Sequence, residues 1–256
     1  MPETIHEVRD NQRYIVGDVE DVLPTLELNA DVICLDDAWA RPQRADWFGV
    51  EYETHDFSSG ADSDGITTTD ILDLCKDSLV EGGWLIADAD DWLLPRLINY
   101  LRKDWGDVAA SYDGGGYRRI GGVTFQTKAG EPDKSTPGMY LSNGGYPVVF
   151  AHKGETDRRT SVSARQITRQ ASFDGDWGSV KPIDPYQAWL AGLLNEGEHL
   201  VVPCAGTAPA AIAAEQLFGE DIQYTCIDKE PKALEMFKKR RDEVKLTDEG
   251  ELSTFE

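Results

Sequence analysis

The chain has 256 residues, 40% of them hydrophobic, and carries 47 acidic against 25 basic side chains, a formal net charge of −22. This length can bury a full core, so we expect a single domain over residues 1–256. The acidic surplus opposes non-specific nucleic-acid binding, which depends on neutralising phosphates. Two explanations remain open: the protein does not bind nucleic acid, or it is halophilic and its acidic surface keeps it soluble in molar salt. We favour the halophile.

The sequence shows neither a targeting segment nor a cysteine cluster. Residues 1–13 are polar, and no apolar run approaches the ~20 residues that a membrane helix needs. Four cysteines stand singly among apolar neighbours, at Cys34, Cys75, Cys204 and Cys226. This spacing predicts buried thiols in a reducing compartment and no metal-ligand pairing. We therefore expect a cytoplasmic protein without a membrane partner or a bound metal.

The first part of the chain predicts two strands that lead into acidic turns. A short strand begins at Tyr14, and the turn at Asp18 leads into a brief helix that this aspartate can cap. Residues 32–35 form a continuous apolar run, typical of a strand buried on both faces, and the run stops at Asp36. Ligands of open α/β sheets bind beyond the carboxyl ends of strands, so this ending is a candidate site. The alternative is an acidic turn beside a tryptophan, Trp39, at the edge of the core.

The middle of the chain predicts alternating helices and strands. We expect a helix at 67–79, a buried strand after Gly83, a helix at 90–103, a β-rich stretch at 111–128 and a late strand at 145–154. Residues 129–143 are rich in Pro, Gly and Ser and predict a loop. This alternation is typical of an α/β domain.

One segment of this acidic chain is basic. Residues 152–170 contain five cations against two acidic residues, and the cations are Lys153, Arg158, Arg159, Arg165 and Arg169. In a chain of this charge, a local basic segment is a candidate for contacts with nucleic-acid phosphates. The alternative is a solvated loop with a chance excess of positive charge.

The last third of the chain predicts a nucleotide pocket. Residues 200–202 read as a strand, residues 203–209 as a small-residue loop and residues 210–218 as a helix. A second apolar strand at 222–227 ends in Asp228, about 20 residues beyond the loop, where a carboxylate can accept hydrogen bonds from ribose hydroxyls. The same pattern also occurs as an ordinary packing turn between strand and helix, and both explanations stay open at this point.

The order of these motifs resembles that of the permuted (β-type) amino-methyltransferases of DNA. Lys181 and Pro182 open an amphipathic helix that leads into the small-residue loop, the place of the S-adenosylmethionine (AdoMet) loop in that family. The resemblance spans residues 14–240. It implies an α/β fold with a doubly wound, mostly parallel sheet, the Rossmann-like fold of AdoMet-dependent methyltransferases, in a single methyltransferase domain.

The resemblance also implies which residues bind AdoMet. It assigns Asp18 to the adenine, Asp228 to the ribose, and Lys181 with the loop to the methionine part. The loop residues are Pro203, Cys204, Ala205, Gly206 and Thr207. The family's loop reads Asp-Pro-Phe-x-Gly-x-Gly-Thr, and this chain has Val202 at the leading acid and Ala208 at the second glycine.

The family's acceptor motif, Asp/Ser/Asn-Pro-Pro-aromatic, is matched in part. Asp36 fits its first position and Trp39 its last, whereas Asp37 and Ala38 replace the prolines. The exocyclic amine of adenine or cytosine is a poor nucleophile, and a carboxylate that accepts its N–H bonds favours the reactive geometry. The resemblance thus implies that Asp36 orients the amine and that Trp39 stacks on the flipped base. Asp37 adds a second charge at this catalytic position.

The activity implied is site-specific methylation of double-stranded DNA, as in restriction–modification, with adenine N6 favoured over cytosine N4. In the family's order, residues 129–180 form an insert that contacts DNA and recognises the target. A helix at 231–244 and an acidic tail at 242–256 follow, and a homodimer is compatible with the sequence. The acidic composition points to a haloarchaeal or haloviral protein.

Three other functions remain open. They are a methyltransferase of RNA or a small molecule, a weak or inactive interaction protein that kept the AdoMet fold, and a plain nucleotide-binding domain.

Overall fold

The computed structural model describes residues 4–36, 68–89, 93–107, 114–133, 144–177 and 180–252. The strands are β1 Thr4–Arg9, β2 Gln12–Val16, β3 Ala30–Leu35, β4 Leu79–Asp88, β5 Gly116–Phe125, β6 Gly145–His152, β7 Arg165–Thr168, β8 His199–Pro203 and β9 Gln223–Asp228. The helices are α1 Val19–Val22, α2 Thr68–Ser78, α3 Leu94–Tyr100, α4 Asp184–Leu193, α5 Pro209–Phe218 and α6 Pro231–Leu252. A 3-10 turn at Leu23–Thr25 follows α1, and a π-helical turn at Leu101–Trp105 follows α3.

The strands form one sheet in the order β1-β2-β9-β8-β3-β4-β6-β5-β7. β1 and β6 run antiparallel to their neighbours, and the other described strands all point the same way. The prediction of an α/β fold with a mostly parallel sheet is confirmed. The parallel strands end at one side of the sheet, called the carboxyl edge below, and begin at the opposite side, the amino edge.

Two hydrophobic clusters cover the two faces of the sheet. The first packs α4, α5 and α6 against it, and Phe237 of α6 is fully buried there. The second packs α1, α2 and α3 against the other face, with Leu72 of α2 buried. Along β3, Val32 faces the first cluster and Ile33 the second. A parallel strand covered on both faces needs apolar residues at every position, which explains the continuous apolar run in the sequence.

Prolines mark where α4 and α5 begin. Pro185 lies in the first turn of α4, and Pro209 is the first residue of α5. Proline suits this position because its fixed φ is helical and its missing N–H would have no partner within the helix. Since α5 starts directly after the loop that follows β8, its amino end lies at the carboxyl edge.

Three elements differ from the sequence prediction. β1 lies in a stretch that reads only as polar, and it is an exposed edge strand that pairs with β2 alone. The helix predicted at 90–103 is α3 followed by the π-helical turn. α6 runs through Leu252, so the tail predicted at 242–256 continues the helix over its described part. None of the helices in the described ranges is long and apolar enough to cross a membrane.

Candidate functional site

Two acidic side chains lie side by side where β3 and β4 end. The two strands are parallel, with Leu35 opposite Ala87, so Asp36 and Asp88 are the next residues on each. Asp88 is only 3% exposed, whereas Asp36 is half-buried. The sequence prediction includes Asp36 but not Asp88, although both are acidic residues at the end of a buried strand.

A buried lysine joins these two carboxylates. Lys181 is 4% exposed, and its Nζ donates to Asp36 Oδ1 and, at 2.7 Å, to Asp88 Oδ2. The Tyr186 hydroxyl also donates to Asp88 Oδ2, and Nζ lies 4.9 Å from the centre of the Tyr146 ring. Lys181 precedes α4 and Tyr186 lies in its first turn, so the start of this helix delivers both donors to the strand ends. Asp36, Asp88, Lys181 and Tyr186 are called the Asp36–Asp88 cluster below.

The charge of Asp88 depends on pH near neutrality. Burial raises the pKa of Asp88 to about 6, against the lowering effect of the Lys181 charge. Burial alone would lower the pKa of Lys181, but the charges of Asp36 and Asp88 outweigh it and the pKa is raised. Asp88 Oδ1 is buried without a hydrogen-bond partner among the described residues. A shifted pKa and an unsatisfied buried acceptor are typical of functional sites.

The loop after β8 has an unusual backbone conformation that neighbouring strands hold in place. Cys204, Gly206 and Ala208 have φ values of 54°, 51° and 46°, a left-handed region that costs energy for residues other than glycine. The Tyr14 hydroxyl on β2 donates to Gly206 O at 2.8 Å. Gly206 N donates to Asp228 Oδ2, at the end of β9, at 2.7 Å. The predicted cofactor loop is therefore fixed from two strands.

The remaining loop residues connect to the Asp36–Asp88 cluster. Pro203 is the last residue of β8, and Ala205 N donates to the backbone of β9 at 2.9 Å. Thr207 is buried and accepts a hydrogen bond from Arg240 Nη1 at 2.8 Å, while Arg240 Nη2 donates to Lys181 O at 2.5 Å. Burial lowers the pKa of Arg240 to about 10, so the guanidinium stays charged. One side chain of α6 thus links the loop to the segment that carries Lys181.

The carboxylates of Asp228 and Asp18 both have partners within the protein. Asp228 Oδ1 accepts from Glu230 N at 2.9 Å, in addition to the contact of Oδ2 with Gly206 N. Burial raises the pKa of Asp228 to about 6, while these two N–H donors act to lower it. Asp18 caps α1 by accepting a backbone N–H at 3.0 Å, and Gly17 N donates to the backbone oxygen of Asp228 at 3.0 Å. The two predicted cofactor residues therefore lie at adjacent strand ends.

An aromatic side chain lies over the loop. A Cβ atom placed on Gly206 would be 3.5 Å from the Trp177 ring. The segment before this tryptophan is fixed to α6 by an ion pair between Asp176 and Lys232 at 2.7 Å. Trp177 is half-buried and packs against the cluster that contains α4, α5 and α6. No sequence motif predicts a role for it.

Two of the five basic residues predicted to contact phosphates lie at the amino edge. β6 is antiparallel to β4, so the chain that follows it emerges opposite the carboxyl edge. Lys153 Nζ donates to Leu79 O, at the start of β4, at 2.8 Å. Arg158 donates to Asp31 Oδ1 at 2.7 Å and to Glu198 Oε2 at 2.5 Å. These contacts give Lys153 and Arg158 partners within the protein, and their predicted contacts with phosphates stay a prediction.

The other three basic residues are exposed. Arg159 follows Arg158, Arg165 begins the edge strand β7, and Arg169 comes directly after that strand. β7 is parallel to β5 and ends at the carboxyl edge, so Arg169 lies on the same side of the sheet as the Asp36–Asp88 cluster. Two predicted catalytic residues, Asp37 and Trp39, lie outside the described residues.

Three residues complete the site without having been predicted. Asp88 carries the same signal as Asp36, an acidic residue at the end of a buried apolar strand. Tyr186 and Arg240 carry no such signal, because their partners are set by helix packing. No group of three or more His, Cys, Asp or Glu side chains that could hold a metal ion occurs in the part of the chain that the structure describes.

No protein-family model and no curated protein matches the sequence, but solved structures match the fold. The chain is similar to M1.HpyAVI in complex with SAM, with a TM-score of 0.58 and 9% identity over 89% of this chain and 97% of that chain. The PvuII DNA methyltransferase (cytosine-N4-specific) gives a TM-score of 0.61 and 10% identity over 89% of this chain and 86% of that chain. TTHA0409 of Thermus thermophilus, complexed with S-adenosyl-L-methionine, gives a TM-score of 0.53 and 15% identity over 89% of this chain and 91% of that chain.

The chain has a methyltransferase fold. Identities of 9–15% show the architecture and leave the substrate to the chemistry of the site. In this methyltransferase fold, the Asp36–Asp88 cluster and the loop after β8 lie at the carboxyl edge of the sheet, where open α/β sheets bind their ligands.

Proposed function

We propose that the protein is a methyltransferase that transfers a methyl group from AdoMet to an exocyclic amine of a base in double-stranded DNA. The observation that carries this proposal is the link, through Arg240, between the loop after β8 and the Asp36–Asp88 cluster. Methyl transfer requires a cofactor loop and an acceptor carboxylate held in fixed relation, because the two reacting atoms must meet in line. The likeness to a cytosine-N4-specific DNA methyltransferase supports DNA as the substrate class.

The residues present fit AdoMet in charge. The cofactor carries a sulfonium, an ammonium and a carboxylate, and so one net positive charge. Asp36, Asp88 and Lys181 together carry one net negative charge when all are ionised. The unpaired Asp88 Oδ1 can accept a hydrogen bond from an ammonium group. The cluster thus supplies negative charge that the loop lacks at Val202, where the family has an acidic residue.

The loop offers AdoMet a glycine at the turn. Gly206 has a φ of 51° and no side chain, so a ligand can approach its backbone closely once the Trp177 ring is displaced. Asp228 has both oxygens bonded to backbone N–H groups, but each carboxylate oxygen has a second lone pair that can accept from ribose. The AdoMet-binding residues that we propose are Asp18, Lys181, Pro203, Cys204, Ala205, Gly206, Thr207 and Asp228.

Asp36 is the proposed ligand of the acceptor amine. Lys181 engages its Oδ1, and no hydrogen bond within the described chain engages Oδ2, so Oδ2 can accept an N–H of the base. AdoMet, when bound, supplies the methyl group. The proton that the amine loses can pass to solvent afterwards, so a dedicated strong base is not required. We propose adenine N6 ahead of cytosine N4, with Trp39 stacking on the flipped base and Asp37 adding charge.

Exposed arginines are the proposed phosphate contacts. Arg159, Arg165 and Arg169 have solvent-exposed side chains, and Arg169 shares the carboxyl edge with the Asp36–Asp88 cluster. The net charge of −22 supports a halophilic cytoplasmic protein, since molar salt screens repulsion from DNA. A role in restriction–modification, a homodimer and a haloarchaeal or haloviral origin stay predictions from the sequence.

The test is nucleoside mass spectrometry after incubation of unmethylated duplex DNA with the protein and AdoMet over a potassium chloride series. We expect N6-methyladenine, at a yield that rises with salt. If N4-methylcytosine forms instead, the proposed reaction stands and the methylated base is cytosine. If no modified base forms at any salt concentration although AdoMet binds, a DNA base is not the methyl acceptor.

A matched pair of variants tests the role of Asp36. Asp36→Ala should lower the methylation rate by about 100- to 1,000-fold, the loss typical of removing one group that stabilises the transition state. AdoMet affinity should change little. The control is Asp77→Ala, which removes an equal charge from an exposed site on α2 and should methylate normally. Undiminished methylation by Asp36→Ala would remove Asp36 from the acceptor site.

One observation favours a second function, a protein that kept the fold without turnover. The Trp177 ring covers Gly206, and Asp36 is paired with a buried lysine. Thermal unfolding with AdoMet and with NAD separates the cases, because a ligand of the folded state raises the midpoint by mass action. Stabilisation by neither compound, together with no methylation, would favour the inactive protein.

A further inference from the structure

A second cleft lies away from the carboxyl edge, on the face of the sheet that α4 covers. It has a volume of ≈ 190 Å³, and its lining includes Arg118, Arg119, Arg158 and Arg159 above Trp84 and Trp189. Trp84 precedes Asp88 by four residues on β4, about 13 Å along the strand. The cleft is therefore separate from the site proposed for methyl transfer.

A β-bulge directs two neighbouring arginines into this cleft. In the pairing of β5 with β6, Tyr117 lies opposite Ala151 and Arg119 opposite Phe150, so Arg118 is one extra residue on β5. Consecutive side chains of a regular strand point to opposite faces, and a bulge breaks that alternation. Arg118 and Arg119 consequently both line the cleft.

The cleft concentrates positive charge in a strongly acidic protein. None of its eleven lining residues is acidic, although the chain has 47 acidic residues. Arg158 is neutralised by two carboxylates. Within the described part of the chain, the side chains of Arg118, Arg119 and Arg159 form no ion pair or hydrogen bond. Three neighbouring cations without a counter-charge repel one another, and a bound anion would relieve that repulsion.

The floor of the cleft leaves the guanidinium groups and the Thr160 hydroxyl as side-chain donors for a ligand. Trp84 Nε1 donates to Thr156 Oγ1 at 3.1 Å, and Trp189 Nε1 donates to Ser163 O at 3.1 Å. Both indole N–H groups are therefore already bonded. Guanidinium forks match the oxygen geometry of phosphate, and a phosphate monoester carries more negative charge than a carboxylate.

We infer that this cleft binds a phosphate group, carried by a mononucleotide or by a nucleic-acid backbone. Its volume of ≈ 190 Å³ is below the roughly 300–1,000 Å³ of pockets that enclose a whole drug-sized ligand. The cleft thus encloses the phosphate and the atoms next to it, and the rest of the ligand lies outside the cleft. The inference does not depend on AdoMet binding or on methyl transfer. It shares Arg159 with the proposed DNA contacts, so the variant of Arg118 and Arg119, which have no part in the proposed function, decides it.

The test is calorimetric titration of the full chain with inorganic phosphate, a nucleoside monophosphate and a short DNA duplex at constant ionic strength. The variant is Arg118→Ser with Arg119→Ser, and Arg159→Ser is a second variant outside the bulge. The control, Lys128→Ser with Lys238→Ser, removes two exposed charges elsewhere. We expect the double arginine variant to lose about 10- to 100-fold in phosphate affinity, and the control to lose less than about twofold.

The three probes distinguish the source of the phosphate. Tighter binding of the monophosphate than of inorganic phosphate identifies a nucleotide. A loss of duplex affinity in both arginine variants, with weak monophosphate binding, identifies a nucleic-acid backbone. Absence of phosphate binding by the wild-type protein, or an equal loss in the lysine control, overturns the inference. Methylation and AdoMet affinity, measured in parallel, report on the proposed function separately.

Discussion

The two edges of the sheet each carry one cation between two carboxylates, yet the two clusters differ in how well they are satisfied. At the amino edge, Arg158 binds Asp31 and Glu198. All four carboxylate oxygens there accept hydrogen bonds, because Asn195 and the backbone of His199 donate to the remaining positions. Burial acts to raise the pKa of Glu198, but the hydrogen bonds from Arg158 and Asn195 outweigh it and the pKa is lowered.

At the carboxyl edge, Lys181 binds Asp36 and Asp88, and the outcome is the opposite. Asp88 Oδ1 has no partner among the described residues, and the pKa of Asp88 is raised to about 6 by burial. Residue types alone therefore do not separate a structural ion cluster from a functional one. The hydrogen bonds distinguish the two kinds of cluster. A cluster whose carboxylate oxygens all accept hydrogen bonds stabilises the fold, whereas a buried carboxylate oxygen without a partner indicates a position for a ligand.

The largest expected effect is on Lys181. Lys181→Met leaves the buried Asp88 and the half-buried Asp36 without their cation and should lower the free energy of unfolding by ~3–5 kcal/mol. Because Lys181 lowers the pKa of Asp88, that pKa rises further in the variant, and the deficit should shrink as pH falls towards 6. Denaturant unfolding at two pH values measures both effects. Lys232→Met, in an exposed ion pair, is the control and should leave the free energy of unfolding nearly unchanged. Equal losses in the two variants would contradict the buried-cluster account.

For the cluster at the amino edge, where every carboxylate oxygen has a hydrogen-bond partner, we expect a smaller loss of stability. Arg158→Met should lower the free energy of unfolding by about 1–3 kcal/mol, because carboxylates lose charge-assisted hydrogen bonds at a partly exposed site. AdoMet affinity of the folded variant should stay unchanged. Weaker DNA binding without a change in stability would return Arg158 to the role of a phosphate contact.

The raised pKa values at the carboxyl edge predict a pH dependence of cofactor binding. As pH falls below about 6, Asp88 and Asp228 take up protons, and each protonation should lower AdoMet affinity by up to about tenfold per pH unit. Acid unfolding does not explain such a loss. These two groups have pKa values above the ~3.9 of unfolded aspartate, so their contribution to stability decreases as pH rises from about 4 to 6. Titration calorimetry of the wild type and of Asp228→Asn measures AdoMet affinity against pH. If the pH profile of the variant equals that of the wild type, Asp228 does not cause the pH dependence.

The smallest expected effect concerns the exposed cations near the carboxyl edge. Arg169→Ser should weaken DNA binding equally for all sequences and reduce the slope of log affinity against log salt by about 0.9, the value for one phosphate contact. Lys128→Ser removes one exposed charge elsewhere and serves as the control. Identical slopes for the wild type and Arg169→Ser would make Arg169 part of a solvated surface.

Much of the fold could be predicted because buried parallel strands have simple sequences. β3 and β9 are covered on both faces, so their apolar runs stand out, and the acidic residues that end them could be predicted as site residues. The same rule applied to β4 would have found Asp88. β1 could not be found in this way, since an exposed edge strand needs no apolar run.

The features of the site that the sequence does not reveal arise from tertiary contacts. Counting charge treats Arg158 and Arg169 alike, but the antiparallel direction of β6 sends Arg158 to the amino edge. Arg240 stands in a run of Lys and Arg that looks like a solvated helix face, and its burial follows from how α6 packs on the loop. No local pattern contains that information.

The double contact of Arg240 has a consequence for the order of events during a catalytic cycle. Its guanidinium bonds both Thr207, in the loop after β8, and the backbone of Lys181, whose side chain holds Asp36. A molecule that displaces the loop therefore perturbs Asp36, the proposed acceptor carboxylate, and a molecule that displaces Asp36 perturbs the loop. Thermodynamic reciprocity requires the two affinities to change by the same factor. Cofactor and base should thus bind as interdependent ligands, and Arg240→Met should make their binding independent.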